Sequence, residues 1–380
     1  MPLLPELRDQ NKMKIPKKIA GPVALDCEGP LTKNDNALEL SQHFIPDGER
    51  LFTQLSRYDD ILAFMVKRPG YRAGNTLKLI CPFFRAFGMS NQDIMDFSAG
   101  HILIMSGADR LLQWINENTI GFIISTSYKP YIEALCKVVG FPFQNTFCTH
   151  LDLDALRPSE EECLKVRRLA EMIVSLPSLE WPSNIKTLDA LPTRVKEAFA
   201  AIDEIMTDQL AGTYLGRYLD MVEPVGGEEK AKAVRRGCEI AGRDISDVIY
   251  IGDSITDVEG FHLVREHGGM TVAFNGNRYA IEAAEVACLS HHSDILAFIC
   301  HSFWTNGREG VMDMIRDWKS GCSFIEKQHP VFPFMKEVLK KERKNASFIE
   351  LITDKNRVSL IEQSEQFRGH VRGEEIGRLG

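Results

Sequence analysis

The 380-residue sequence predicts an α/β fold: a parallel sheet with an inserted helical cap and extra helical segments. Three observations carry this expectation. Five short apolar runs recur along the chain, "GPVALDC" (21 to 27), "IGFIISTS" (120 to 127), "NTFCTHLDL" (145 to 153), "DVIYIGDS" (247 to 254) and "GMTVAFNG" (269 to 276). Each ends in a polar or glycine-bearing tip followed by a helical pattern, the order of strands buried on both faces of a parallel sheet. Two stretches between the runs are too long to be connections, because a βα crossover needs only about a dozen residues.

The runs and their helices place a core at 18–30, 107–154 and 211–300. Residues 31–106, rich in Phe and Met with helical periodicity ("ERLFTQLSRYDDILAFMV", "NQDIMDFSAGHILIM"), form a cap inserted between the first two strands. A helical insert follows at 155–210, where "PSEEECLKVRRLAEMIVSL" and "LPTRVKEAFAAIDEIMTDQLA" read as amphipathic helices joined by a proline-bearing linker. Residues 301–380 read as a helical C-terminal extension, strongly charged after Lys336, with a loose end at "FRGHVRGEEIGRLG". No internal repeat and no low-complexity tract is present.

Composition excludes some function classes. A net charge of −8 argues against nucleic acid or an anionic membrane as partner, since such surfaces recruit concentrated Lys and Arg. The nine cysteines contain no C-x-x-C pair and suit reduced thiols better than a disulfide scaffold or structural zinc. The opening "MPLLPELRDQNKMKIPKKIAG" has no apolar stretch of the kind a secretory signal needs, and no run reaches the ~18 apolar residues of a membrane helix. The expected location is the cytoplasm.

In parallel sheets of this kind, ligands bind at the carboxyl ends of the strands. The tips there carry Asp26 and Glu28, Ser125 and Thr126, and Asp253 and Asp257 in "GDSITD", with Lys230 in "GGEEKAKAV" 23 positions before Asp253. Residues i and i+2 of a strand share a face, so Asp26 and Glu28 repel unless positive charge or a proton relieves them. Several carboxylates in one crevice point to a hard divalent cation. Mg²⁺ prefers carboxylates, water and a phosphate oxygen, and Asp26, Glu28, Asp253 and Asp257 are the ligands expected. An ionised aspartate can attack phosphorus only where cations span nucleophile and phosphate. Lys230, Ser125 and Thr126 are the phosphate-binding candidates, and Glu28 is the candidate to protonate the leaving alkoxide and later activate water.

These motifs resemble those of the haloacid dehalogenase (HAD) superfamily, with the phosphoserine-phosphatase-like branch the most similar. "DCEGP" resembles the family's Asp-x-Asp motif, which implies Asp26 as nucleophile; Ser125 ending "FIISTS" resembles the hydroxyl motif, with Thr126 as its neighbour. Lys230 stands at the family's lysine spacing, and "GDSITD" meets the Gly-Asp-x-x-x-Asp motif in full. "VAFNGN" resembles the strand that follows in phosphoserine phosphatases, with Asn275 at the Asn position. A looser likeness runs to an archaeal HAD group associated with an energy-converting hydrogenase. The resemblance covers the core strands and tips, not the second insert or the tail. It implies a HAD-like Rossmannoid sheet with a cap of the C1 type. It also implies a Mg²⁺-dependent hydrolase of small phosphate monoesters working through an aspartyl-phosphate.

Two positions depart from the pattern. Glu28 stands where these phosphatases usually have Asp, and Pro30 where many have Thr or a small aliphatic residue. The extra methylene moves the carboxyl group, and a misplacement near 1 Å costs about 10²-fold in rate. The same departure speaks against dehalogenases and phosphonatases, which carry no acid there. A non-catalytic or regulatory HAD-like subunit is the second reading, and a phosphomutase or phosphotransferase the third. The expected partner is a small phosphorylated metabolite selected by residues 31–106, and the insert or the extension offers a surface for a homo-oligomer.

Other motifs read as structural. His291-His292 beside Asp294 reads as a surface helix start, since no third ligand stands at a known spacing. Cys27 points from between the two acids into the core, and "FNGN" reads as a loop over the crevice.

Overall fold

Val23, Leu25 and Cys27 alternate with Ala24 between two hydrophobic clusters, the signature of a strand buried on both faces. That strand, β1 (Val23–Leu25), lies at the centre of a mixed α/β architecture in the computed structural model, which describes residues 20–69, 71, 73–182, 185–320 and 347–373. The N-terminal stretch read as lacking a secretory signal, Cys322 and residues 374–380 of the tail lie outside the described residues.

The other strands are β2 (Gly121–Tyr128), β3 (Thr146–Thr149), β4 (Ile249–Gly252), β5 (Met270–Phe274), β6 (Val286–Leu289) and β7 (Phe348–Leu351). They form one seven-stranded sheet in the order β3-β2-β1-β4-β5-β6-β7. All neighbours run parallel except β7, which is antiparallel to β6. β1 pairs with β2 on one side and β4 on the other, with Leu25 level with both Ile123 and Ile251. The tips after these three strands therefore open at the same height, as the strand order of a doubly wound sheet requires.

One face of the sheet is covered by helices Ala108–Asn118, Lys129–Val139 and Leu296–Ser320, the other by Glu228–Ala241, Val258–Glu266 and Arg278–Ala283. A third hydrophobic cluster lies apart from the sheet's two faces. It pools side chains from the segment between β1 and β2, such as Leu51, Leu55 and Phe84, with others from between β3 and β4, such as Val166, Ile173 and Ile202. The stretches 31–106 and 155–210, read as two units in the sequence, thus share one core. Each amphipathic set buries its apolar stripe against the other.

The segment from 301, expected to be helical, contains a strand as well as helices. β7 covers the edge of β6, and the helix Arg357–Arg372 returns to the sheet. The turn Ser293–Ile295 does start a helix, but not at the surface: Asp294 is fully buried and pairs with Arg110 at 2.5 Å. Among the described residues no helix is long and apolar enough to cross a membrane.

Candidate active site

The loop after β1 is shaped by Gly29, whose φ of +97° lies in the left-handed region. A Cβ there would clash with the Asp253 carboxylate, so only glycine lets the first loop lie against the loop after β4. Asp26 is buried at the tip of β1, its N–H donating to the Ile251 carbonyl of β4 at 2.8 Å. Its Oδ1 accepts from the Cys27 N–H at 2.7 Å, and its Oδ2 meets the Lys230 Nζ at 2.7 Å.

Lys230 stands in the first turn of the helix Glu228–Ala241 and is fully buried. Its second partner is the Asp257 Oδ1, also at 2.7 Å. Burial works against its charge, but Asp257 and Asp26 overcome that cost and hold its pKa above the ordinary lysine range. For Asp26 burial is the largest influence and raises its pKa, the Asp257 charge adds to it, and Lys230 opposes both. Asp257 has no spare capacity: the Tyr250 hydroxyl donates to Oδ1 at 2.8 Å, and the Asp253 and Ser254 N–H groups donate to Oδ2 at 3.0 Å. It closes a capping box with Ser254 that fixes the turn following β4.

Asp253 faces the other way. Its Oδ2 is held by Arg368 and, at 2.9 Å, by Arg372, both buried on the helix Arg357–Arg372. One carboxylate oxygen each from Asp26, Asp253 and Asp257 lies within 4.8 Å of the others. The hard oxygens of Asp26 and Asp253 suit a small dication such as Mg²⁺, with the engaged Asp257, also expected as a ligand, behind them. Glu28, expected among the metal ligands, stands outside the trio. Its Oε1 is spent on the Asn36 N–H at 3.0 Å and the Ser127 hydroxyl at 2.8 Å. Burial, reinforced by the charge of Asp35, pushes the Glu28 pKa up to about 8.

The two hydroxyl candidates differ. Ser125 accepts from the Ser127 N–H at 3.1 Å, so its own proton remains available to a ligand. Thr126 spends its proton on the Val225 carbonyl at 3.1 Å and so anchors a loop. Asp26, Glu28, Ser125, Thr126 and Asp253 line one cavity of about 90 Å³, together with Arg368 and Arg372. Its other wall is helical and comes from Phe52, Ser56, Asp59, Asp60, Thr76 and Leu77. There Asp59 accepts from the Gly74 and Thr76 N–H groups and the Thr76 hydroxyl through one oxygen. Burial, then the charge of Asp60, pushes its pKa up to about 7.

The "FNGN" loop begins at Asn275, whose φ of +47° is left-handed and whose amide pairs with both the N–H and the carbonyl of Ser290 at 2.9 Å. Arg368, Arg372 and Asp59 are the groups that sequence reasoning missed. The one signal for the arginines was their four-residue spacing in an end that the sequence reads as loose, whereas residues 367–372 belong to a docked helix with both arginines buried.

No family model and no curated protein matches the chain. Among solved structures, a gene product of Archaeoglobus fulgidus is similar at 27% identity with a TM-score of 0.76, covering 95% of this chain and 99% of that one. Phosphoserine phosphatase, as a phospho-aspartyl intermediate analogue, overlaps with a TM-score of 0.45 at 12% identity, covering 75% of this chain and 99% of that one.

Proposed function

We propose that the chain is a HAD-type phosphatase that hydrolyses a small phosphate monoester through an aspartyl-phosphate on Asp26. One observation carries the reading: Asp26, Ser125 and Asp253, far apart in sequence, line one cavity at the carboxyl ends of β1, β2 and β4, with Lys230 buried behind Asp26 and paired to it.

In the first step an Asp26 carboxylate oxygen attacks phosphorus, and the bond from phosphorus to the ester oxygen breaks. Glu28, protonated at neutral pH by its raised pKa of about 8, passes its proton to the departing alkoxide. In the second step the Glu28 carboxylate takes a proton from water, whose oxygen attacks phosphorus and frees Asp26 and inorganic phosphate. Lys230 opposes the rise in the Asp26 pKa and orients its carboxylate, and the Ser125 hydroxyl donates to a phosphate oxygen. Mg²⁺ would be held by Asp26 and Asp253, with the engaged Asp257 fixing the loop behind them, and would supply the remaining positive charge. The helical wall from Phe52 to Leu77 selects the leaving group.

The second reading, a regulatory protein that uses this fold without turnover, draws on the arginine pair that already neutralises Asp253. Phosphate release from a panel of phosphorylated metabolites, with and without Mg²⁺, separates the two. Release by the wild type and not by Asp26→Asn supports the phosphatase; no release from any member of the panel favours the second reading.

A further inference from the structure

The helix Arg357–Arg372 buries four residues at four-residue steps, Leu360, Ser364, Arg368 and Arg372, a single stripe down one face. Only the first is apolar. Ser364 donates to the Gly276 carbonyl at 2.5 Å, Arg368 bonds the Asp253 carbonyl and side chain, and Arg372 bonds the Lys33 and Asn34 carbonyls as well as Asp253. The stripe is therefore held mainly by charge and hydrogen bonds directed at the crevice, while Leu360 and Ile361 near one end of the helix and Val371 near the other pack against the apolar faces of the sheet.

Its two guanidinium groups bring the same charge as a dication to the same carboxylate. A cation on either oxygen of Asp253 would stand within a few ångströms of both, in a buried setting where like charges repel strongly. We infer that the Arg368–Arg372 pair and a divalent cation are alternative occupants of Asp253, so that the tail helix controls entry of metal into the crevice. Metal binding lifts the arginines from Asp253 and loosens the helix; a docked helix keeps the metal out. The inference shares the metal site of the phosphatase reading but not its chemistry, and a chain that binds metal and hydrolyses nothing leaves it standing.

The test is titration of the full-length, chelator-stripped chain with MgCl₂ by calorimetry, with amide hydrogen exchange followed over residues 357–372. Arg368→Met/Arg372→Met should bind Mg²⁺ at least about tenfold more tightly than the wild type, the effect of relieving 1.4 kcal/mol or more of repulsion. Asp253→Asn should abolish binding in either background. In the wild type, saturating Mg²⁺ should speed exchange in the tail helix while leaving β1 and β4 protected, a readout that needs no variant to fold. A double variant that binds Mg²⁺ no better than the wild type, or a tail helix equally protected with and without bound Mg²⁺, overturns the inference.

Discussion

The two aspartates of the loop after β4 stand four residues apart and lead different lives. Asp257 is saturated from within the core: Lys230, Tyr250 and two backbone N–H groups take all its acceptor capacity. Asp253 faces the cavity, and its cationic partners come from a helix more than a hundred residues further along the chain. The first arrangement is a permanent part of the sheet's end. The second is a contact between separable elements, which is why a ligand can compete for it.

Breaking the permanent half should cost the most. Asp26→Asn removes the nucleophile and should lower any phosphatase rate by at least about 10³-fold while the chain stays folded, as measured by phosphate release beside circular dichroism. Lys230→Met leaves Asp26 and Asp257 buried without their shared cation and should destabilise by about 3–5 kcal/mol in urea unfolding. A loss below about 1 kcal/mol would mean the Asp26–Lys230–Asp257 triad is not the buried unit described here. Tyr250→Phe removes one hydrogen bond to Asp257 and should cost only about 1 kcal/mol, with no change in Mg²⁺ affinity.

The cavity side should show itself through pH. Glu28 has a folded pKa near 8, above its ordinary 4.5, so the folded chain keeps a proton that the unfolded chain has lost. Its contribution to stability is therefore complete below pH 4.5 and is lost as pH rises towards 8. Asp59 acts in the same sense up to about 7. Thermal unfolding from pH 5 to 9 should show a fall in midpoint across this window, shallower in Glu28→Gln; an equal slope in that variant would remove Glu28 as the source.

The strand tips were legible because their chemistry is local. β1 and β3 to β5 fall within the apolar runs and β2 overruns its own by one residue, and Asp26, Ser125, Thr126, Asp253 and Asp257 stand on or just beyond strands that pair in register. Lys230 was reachable through its spacing from Asp253. Glu28 was legible as an acid on the same strand face, but not as one already engaged by Asn36 and Ser127, since those bonds depend on how the first loop curls. β6 and β7 went unread: "VACL" and "FIEL" are too short to stand out from neighbouring helical patterns.

Residue order alone determined a parallel α/β sheet and the group of side chains at its carboxyl edge, because strand alternation and βα succession follow from the local period of apolar residues. Tertiary structure alone decided that two helical stretches share one core, and that a charged tail turns two arginines inward onto Asp253. A charged helix carries no mark of which face will be buried; that depends on the countercharge it meets, and here the countercharge lies at the far end of another strand.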